Sequence, residues 1–491
     1  MKKALLFLLA ASLLLCSCNK TPEPDNGDVD KPDVSVTEST VDGSGETSDT
    51  TSEVVTETVT QTVTDASGKP VTEADGKPVT TVITTIITTK PTDGKTTGKT
   101  TGKTTGKTTN KTTGKTTGKT TGKTTEKTTQ QTQKPTASKP TVQLGASDLE
   151  LFQKIVDTEN AWLASTQLSN GALPMTPVTS GSATLNPYFS DFAALSMLNQ
   201  ADKYASHVKK YMEWHFDHLN TAKTDYNGVD GTIYDYTASV SNGKVTGETT
   251  KKTYDSTDSY AATFLMVVQK YVEKTGDKAY AISRAKDIER VVNAMFATNH
   301  NGLTLAKPDY AIKYLMDNCE VYAGMVAGEK LYTDVLVPAG ASKATRDKLK
   351  NGAKTVADKI EQKMWVGGHY LPALGTDDKS AYAFSWGNFY PSATAQMFPI
   401  IFGLIEPGSD RAKNLYTTFC QYYDWENFNH PDTFYWGSNA QAAAMVGDVD
   451  SVRTYMSIYE RVVMKTHRYP LYNSDAAKVC MAAYDIIQMA D

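Results

Sequence analysis

Asp255-Ser256-Thr257-Asp258 places two carboxyl groups three residues apart, directly before Ser259-Tyr260 and a run of apolar, helix-forming residues. Only one of them can cap the helix that follows, so the other must face something else. A carboxyl pair of this kind can do acid and base chemistry, one member held protonated by burial or by its neighbour's charge and the other ionised. Similar starts recur down the second half of the chain. Asn186-Pro187-Tyr188-Phe189-Ser190-Asp191 opens one segment, and Asp309 and Tyr310 open another that carries Tyr314 and, two turns in, Asp317. Phe384-Ser385-Trp386-Gly387-Asn388-Phe389-Tyr390, then Phe434-Tyr435-Trp436 with Asn439, then Tyr472-Asn473-Ser474-Asp475 complete the set. Aromatic faces stack on the apolar faces of pyranose rings, and amides and carboxylates take up hydroxyls. Two carboxyls flanking a glycosidic bond supply acid and base, about 5–5.5 Å apart for retention and about 6.5–9.5 Å for inversion. The candidate catalytic groups are therefore Asp258 as general acid, Asp255 as its partner, and Asp191 or Asp317 as the opposing carboxylate. The candidate binding residues are Tyr188, Tyr260, Tyr314, Trp386, Asn388, Tyr390, Trp436, Asn439 and Asn473. Asp309 and Asp475, each at a helix start, read as caps.

The elements that must position these residues follow from helical periodicity, which dominates from Ala146 onward. Apolar-periodic segments fall near 147–166, 187–199, 202–219, 256–274, 277–297, 309–328, 343–364, 388–405, 409–423, 434–446, 449–464 and 474–489. Connections after the second, fourth, eighth and tenth are short. Those after the first, third and seventh, 167–186, 220–255 and 365–387, are long. The alternation predicts an all-α fold of six helical hairpins closed into an (α/α)6 toroid over 145–491. Even-numbered helices form the inner ring, and the long loops gather at the face carrying their N-termini. Loops on a rigid scaffold are where binding and catalysis concentrate. Helix N-termini add free N–H groups and positive dipole.

The first part of the chain differs in kind. Met1-Lys2-Lys3, the apolar run Ala4–Leu15 and Leu15-Cys16-Ser17-Cys18 resemble a bacterial lipoprotein leader, which implies lipidation of Cys18 and loss of residues 1–17. The apolar run is too short to span a bilayer and suits a secretory leader; two acyl chains give stable anchoring. Residues 18–144 are rich in Thr, Lys and Gly, with a four-residue Gly-Lys-Thr-Thr repeat from Gly94 to Thr129, and carry no Trp or Tyr. Such a segment cannot bury enough apolar surface to order itself, so a disordered spacer reaching roughly 60–70 Å is expected. The run Thr80–Thr89, with Val82, Ile83, Ile86 and Ile87, could pair locally as a strand. The chain bears a formal charge of −5 and no basic face, which argues against nucleic acid as a partner. Cys319, Cys420 and Cys480 are widely spaced and odd in number, so they read as small apolar residues. No spacing suggests a metal ligand set, no nucleotide or flavin fingerprint implies a cofactor, and a monomer is expected. The expected location is outside the cell, on the membrane through the lipid anchor, with a polysaccharide or oligosaccharide as partner.

Asp258-Ser259-Tyr260-Ala261-Ala262-Thr263-Phe264-Leu265, running on to Lys274-Thr275-Gly276-Asp277, resembles an inner-helix segment of the unsaturated glucuronyl and rhamnogalacturonyl hydrolases, within the six-hairpin glycosidases. Trp386-Gly387-Asn388 is similar to another of their motifs but lacks the Arg usually inside it. The resemblance implies an (α/α)6 fold and a proton-donating role for Asp258. Three functions stay open: a glycoside hydrolase, a polysaccharide lyase on the same scaffold, and a glycan-binding lipoprotein without catalysis.

Overall fold

The structure, a computed structural model, describes residues 54–62, 80–88, 140–468 and 471–490. The leader, Cys18 and most of the expected spacer lie outside the described residues. Within 18–144, β1 (Val54–Thr62) pairs antiparallel with β2 (Thr80–Thr88), Val54 opposite Thr88. β2 consists of Thr, Val and Ile, and β1 of Thr and Val apart from Glu57 and Gln61, and β-branched side chains favour extended backbone.

The remainder forms a separate unit. Its helices are α1 (Ala146–Ser165), α2 (Pro187–Met197), α3 (Ala201–Asp217), α4 (Asp258–Thr275), α5 (Lys278–Ser283 and Ala285–Ala297) and α6 (Leu315–Leu331). They continue as α7 (Lys343–Lys363), α8 (Phe389–Ala393 and Phe398–Ile401), α9 (Asp410–Tyr422), α10 (Gly437–Val446), α11 (Val449–Tyr459) and α12 (Asn473–Ile487). Each falls on a segment expected from periodicity. Among the even-numbered helices, α2 packs on α4, α4 on α6, α6 on α8, α8 on α10, α10 on α12 and α12 on α2. Burial divides the two sets. In α10 the eight residues from Gly437 to Ala444 are all buried, whereas α7 buries only Leu349, Ala353, Val356 and Ile360, one stripe at a spacing of three and four.

Local chemistry sets the ends. Asn186 caps α2, its Oδ1 accepting from Phe189 N at 3.0 Å, and Pro187 occupies the first helical position. The short hairpin after α4 turns at Gly276, whose φ of 72° closes the helix in the left-handed region. Asp277 then caps α5 through Tyr280 N.

Two departures from the expected pattern matter for the site. The long connections build a three-stranded antiparallel sheet, β3 (Gly181–Leu185), β4 (Tyr236–Ser241) and β5 (Lys244–Thr250), in the order β3-β4-β5. Its hairpin turns at Asn242-Gly243, with φ of 49° and 73°, the pair such a turn demands. The sixth helix begins at Leu315 and not at 309, because Lys313–Tyr314 pairs with Ala373–Leu374 as a short bridge and Leu315 N donates to Pro372 O. Asp309 and Tyr310 therefore lie in a loop, and Asp317 stands in the first turn of α6.

The α4–α6 contact is made by small residues. A Cβ added at Gly324 would lie 2.6 Å from Ala262 Cα and 2.7 Å from its carbonyl oxygen. Gly324→Ala must push the two helices apart and is expected to destabilise the fold by about 2–3 kcal/mol. Urea unfolding measures this, and a loss under about 0.5 kcal/mol would show that the contact can yield freely.

Candidate active site

The first turns of α2, α4, α6, α8, α10 and α12 open on one cavity of about 810 Å³. Asn186, Tyr188 and Phe189 come from the start of α2, Asp255 from the turn before α4 with Ser259 and Tyr260 from its first turn, and Tyr314 and Asp317 from the start of α6. Asn388 and Tyr390 come from α8, Trp436 and Ser438 from α10, and Ser474, Asp475 and Lys478 from α12. The loops 306–310 and 431–434 add Lys307, Asp309, Tyr310, Asp432 and Phe434. The wall is aromatic and acidic.

Asp255 and Asp317 reach the cavity half-buried, while Asp258 and Glu320 are sealed behind them. Glu320 follows Asp317 by three residues and so shares its face of α6. Its Oε1 accepts from the Tyr188 hydroxyl at 2.5 Å. Asp258 Oδ1 accepts from Ser259 N at 2.9 Å, and Oδ2 has no partner among the described residues. Burial pushes Asp258 up to about 7 and Asp255 up to about 6, the latter partly offset by the Lys307 charge. Burial raises Glu320 to about 8 against the opposing pull of the Tyr188 hydroxyl and Lys478. Asp317 is driven well above the carboxylate range, first by burial and then by the charges of Asp258, Glu320 and Asp255. A second cluster faces it from α12. Burial lifts Asp475 to about 7, and Lys478, placed near Asp475 and Glu320, is lowered by its own burial. Among the described residues no group of three or more His, Cys, Asp or Glu is arranged to hold a metal ion.

Of the residues expected from sequence, Asp255, Asp317, Tyr188, Tyr260, Tyr314, Asn388, Tyr390 and Trp436 line the cavity. Asp258 stands one layer behind. Asp191 does not reach the cavity. It is fully buried, its oxygens accepting from Tyr211 at 2.8 Å and Thr263 at 2.7 Å, so that it ties α2 to α3 and α4. Trp386 stacks on Tyr422 at 6.1 Å outside the lining, because its loop turns away before Gly387. Asn439 and Asn473 are buried just below the lining. Asp475 lines the cavity, its carboxyl also taking a hydrogen bond from the backbone of Tyr472 at the start of α12, and Asp309 accepts from Tyr226 and Asn227 at the cavity rim. Sequence reasoning missed Glu320, Lys478 and Asp432. Spacing could have found the first two, each being three residues after an acid already singled out. Cys319 and Cys480 are buried and Cys420 half-buried, all as free thiols.

No family model and no curated protein matches the chain in sequence. In structure it is similar to a glycosidase variant in complex with glucose, at 13% identity and a TM-score of 0.50, covering 71% of this chain and all of that one. It is also similar to an alpha-amylase from Clostridium perfringens, at 9% identity and a TM-score of 0.44, over 69% of this chain and 97% of that one. A GH78 family rhamnosidase from Bacillus sp. GL1 aligns at 12% identity and a TM-score of 0.40, over 71% of this chain and 36% of that one. The chain has a glycosidase-like helical fold.

The buried acids tie stability to pH. Free carboxyls titrate near 4, whereas Asp258 and Asp475 reach about 7 and Glu320 about 8 in the fold. Between those limits the native state holds more protons than the unfolded chain. The stabilisation is therefore full below about pH 4 and is lost as pH rises through 7 to 8. Melting temperature is expected to fall from pH 5 to pH 8.5. Asp258→Asn should flatten that slope by up to one proton, about 1.4 kcal/mol per pH unit. A melting temperature constant across the range would contradict the burial of this cluster.

Proposed function

We propose that the protein is an exported glycoside hydrolase, anchored through Cys18, whose helical unit is an (α/α)6 toroid of six hairpins. The cyclic packing of the even helices supports the toroid. The observation that carries the hydrolase reading is the cavity itself, aromatic-walled, with Asp255 and Asp317 facing it in front of the sealed Asp258 and Glu320.

In this reading Asp317 is the general acid. Buried among three other acids, it keeps its proton at neutral pH and can deliver it to the departing glycosidic oxygen. Asp255, held lower beside Lys307, is ionised at the same pH and serves the opposite face of the sugar. It acts there as base towards water or as nucleophile, as the separation across the bound sugar dictates. Asp258 acts through Asp317, its charge and burial opposing ionisation of the acid in front of it. Tyr188, Tyr260, Tyr390 and Trp436 supply faces and edges for the ring.

Asp317→Asn and Asp255→Asn are each expected to lower kcat for oligosaccharide hydrolysis about 10²–10⁴-fold with binding retained. The rate should fall below about pH 6, where Asp255 takes up a proton. Full activity in either variant would rule out that assignment. An unsaturated product absorbing in the ultraviolet would replace hydrolysis with elimination. For the anchor, Cys18→Ser is expected to move the protein from the membrane fraction to the soluble one. An unchanged distribution on fractionation would exclude lipidation at that site.

A further inference from the structure

The α10–α12 edge of the cavity concentrates polar atoms with nothing to bond. Ser438 Oγ and Asp475 Oδ2 are buried, lie on the cavity wall and have no hydrogen-bond partner among the described residues. Directly behind them, Asn439 and Asn473 leave both atoms of their side-chain amides without partners. Buried polar groups in native proteins are almost always satisfied, so such a concentration at an open cavity marks where a hydroxyl-rich ligand completes the bonding. Beside it stands Trp436, half-exposed, with φ of 47°, a conformation costly for a bulky residue and therefore held by its surroundings. Its indole N–H donates to Asp432 Oδ2 at 3.0 Å, which fixes the ring as a platform.

The charges around this edge limit what can bind. The cavity wall has no Arg among its lining residues and only two Lys, against Asp255, Asp309, Asp317, Asp432 and Asp475. Lys307 acts on Asp255, and Lys478 on Asp475 and Glu320. An incoming carboxylate would meet a wall on which Asp outnumber Lys, with Asp255 ionised at neutral pH. An incoming ammonium would face Lys478 at the same edge, and the oxygens of Asp432 are taken by Trp436 and by Phe434 N. We propose that the α10–α12 edge is a subsite for an uncharged pyranose, its ring on Trp436 and its hydroxyls on Ser438 and Asp475. The proposal extends the hydrolase reading to a substrate class and rests on it for the ligand's being a sugar.

The test is calorimetric titration of the full chain carrying Asp317→Asn. The probes are neutral cello-, xylo-, manno- and malto-oligosaccharides, an oligogalacturonate and a chitosan oligomer. At least one neutral oligosaccharide is expected to bind, at least tenfold tighter than the charged ones. Ser438→Ala should weaken it about fivefold and Asp475→Asn comparably. Trp436→Ala should weaken it more, with Trp436→Phe recovering part of the loss. Unchanged far-ultraviolet circular dichroism of Ser438→Ala, the mildest change, secures the series against misfolding. Equal or tighter binding of a charged oligomer overturns the proposal, as does neutral binding indifferent to all three positions, or no neutral binding at all. Neutral binding that follows the series, without cleavage by the wild-type chain, would sink the hydrolase reading and leave the subsite standing. Cleavage of oligogalacturonate would do the reverse.

Discussion

Ala262 and Gly324 meet so closely that no side chain larger than hydrogen fits at position 324. Much of the site's chemistry depends on that contact. One turn towards the N-terminus from each lie Asp258 and Glu320, and one further step along α6 lies Asp317. Residues four apart share a helix face, so two backbones packed this closely bring carboxyls on that face into one another's field. Separate the helices by a methyl group and the acids would drift apart and admit water. The protonation pattern of the site is in this sense a packing property.

Magnitudes decide which influence prevails on these acids. Asp258 sits at the first position of α4 and Asp317 in the first turn of α6, where helix dipoles favour the ionised form by about 0.3–1 kcal/mol. One pKa unit is worth about 1.4 kcal/mol, so the dipole alone could offset less than one. Asp258 nevertheless rises to about 7, and burial is the dominant cause. Asp191 shows the same burial put to another use. With both oxygens bonded to hydroxyls on α3 and α4, it joins three helices and faces no solvent.

Periodicity made the helices legible, because each element buries a stripe or a whole surface that the sequence must supply. The beginnings of elements were less legible where tertiary pairing intervened. The stretch from 309 to 314 has helical spacing, yet Lys313 and Tyr314 pair with Ala373 and Leu374, and the helix starts later. That displacement concealed Glu320, which appeared to lie mid-helix and not beside the mouth. The β3-β4-β5 sheet was overlooked inside long connections, although Asn242-Gly243 between alternating residues is a strong local hairpin signal. Asp258 was legible as important but not as sealed, and Trp386 as aromatic at a junction but not as turned towards Tyr422. Which side of a loop faces a cavity depends on the neighbouring loop, and sequence spacing carries no record of that.

The even-numbered helices are not equivalent, and their differences give the cavity a direction. Gly324 seats α6 on α4, and Gly437 seats α10 on α12, where a Cβ would lie 2.9 Å from Asp475 O and from Val479 N. Two tight pairs result. One carries Asp255, Asp258, Asp317 and Glu320, and the other carries the unsatisfied Ser438, Asn439, Asn473 and Asp475. Between them α2 and the broken α8 contribute chiefly aromatic and amide groups, Tyr188, Phe189, Asn388 and Tyr390. Lys478 links the walls: it projects from α12 and interacts electrostatically with Glu320 on α6, its Nζ 4.4 Å from the centre of the Phe192 ring on α2. On the proposed function, a sugar chain lying across such a cavity would place a ring against the α10–α12 wall and its glycosidic bond against the α4–α6 wall. Proton transfer and recognition would then reside on different helix pairs, so that substitutions at the α10–α12 wall should alter affinity without altering the protonation of the α4–α6 wall, except through Lys478.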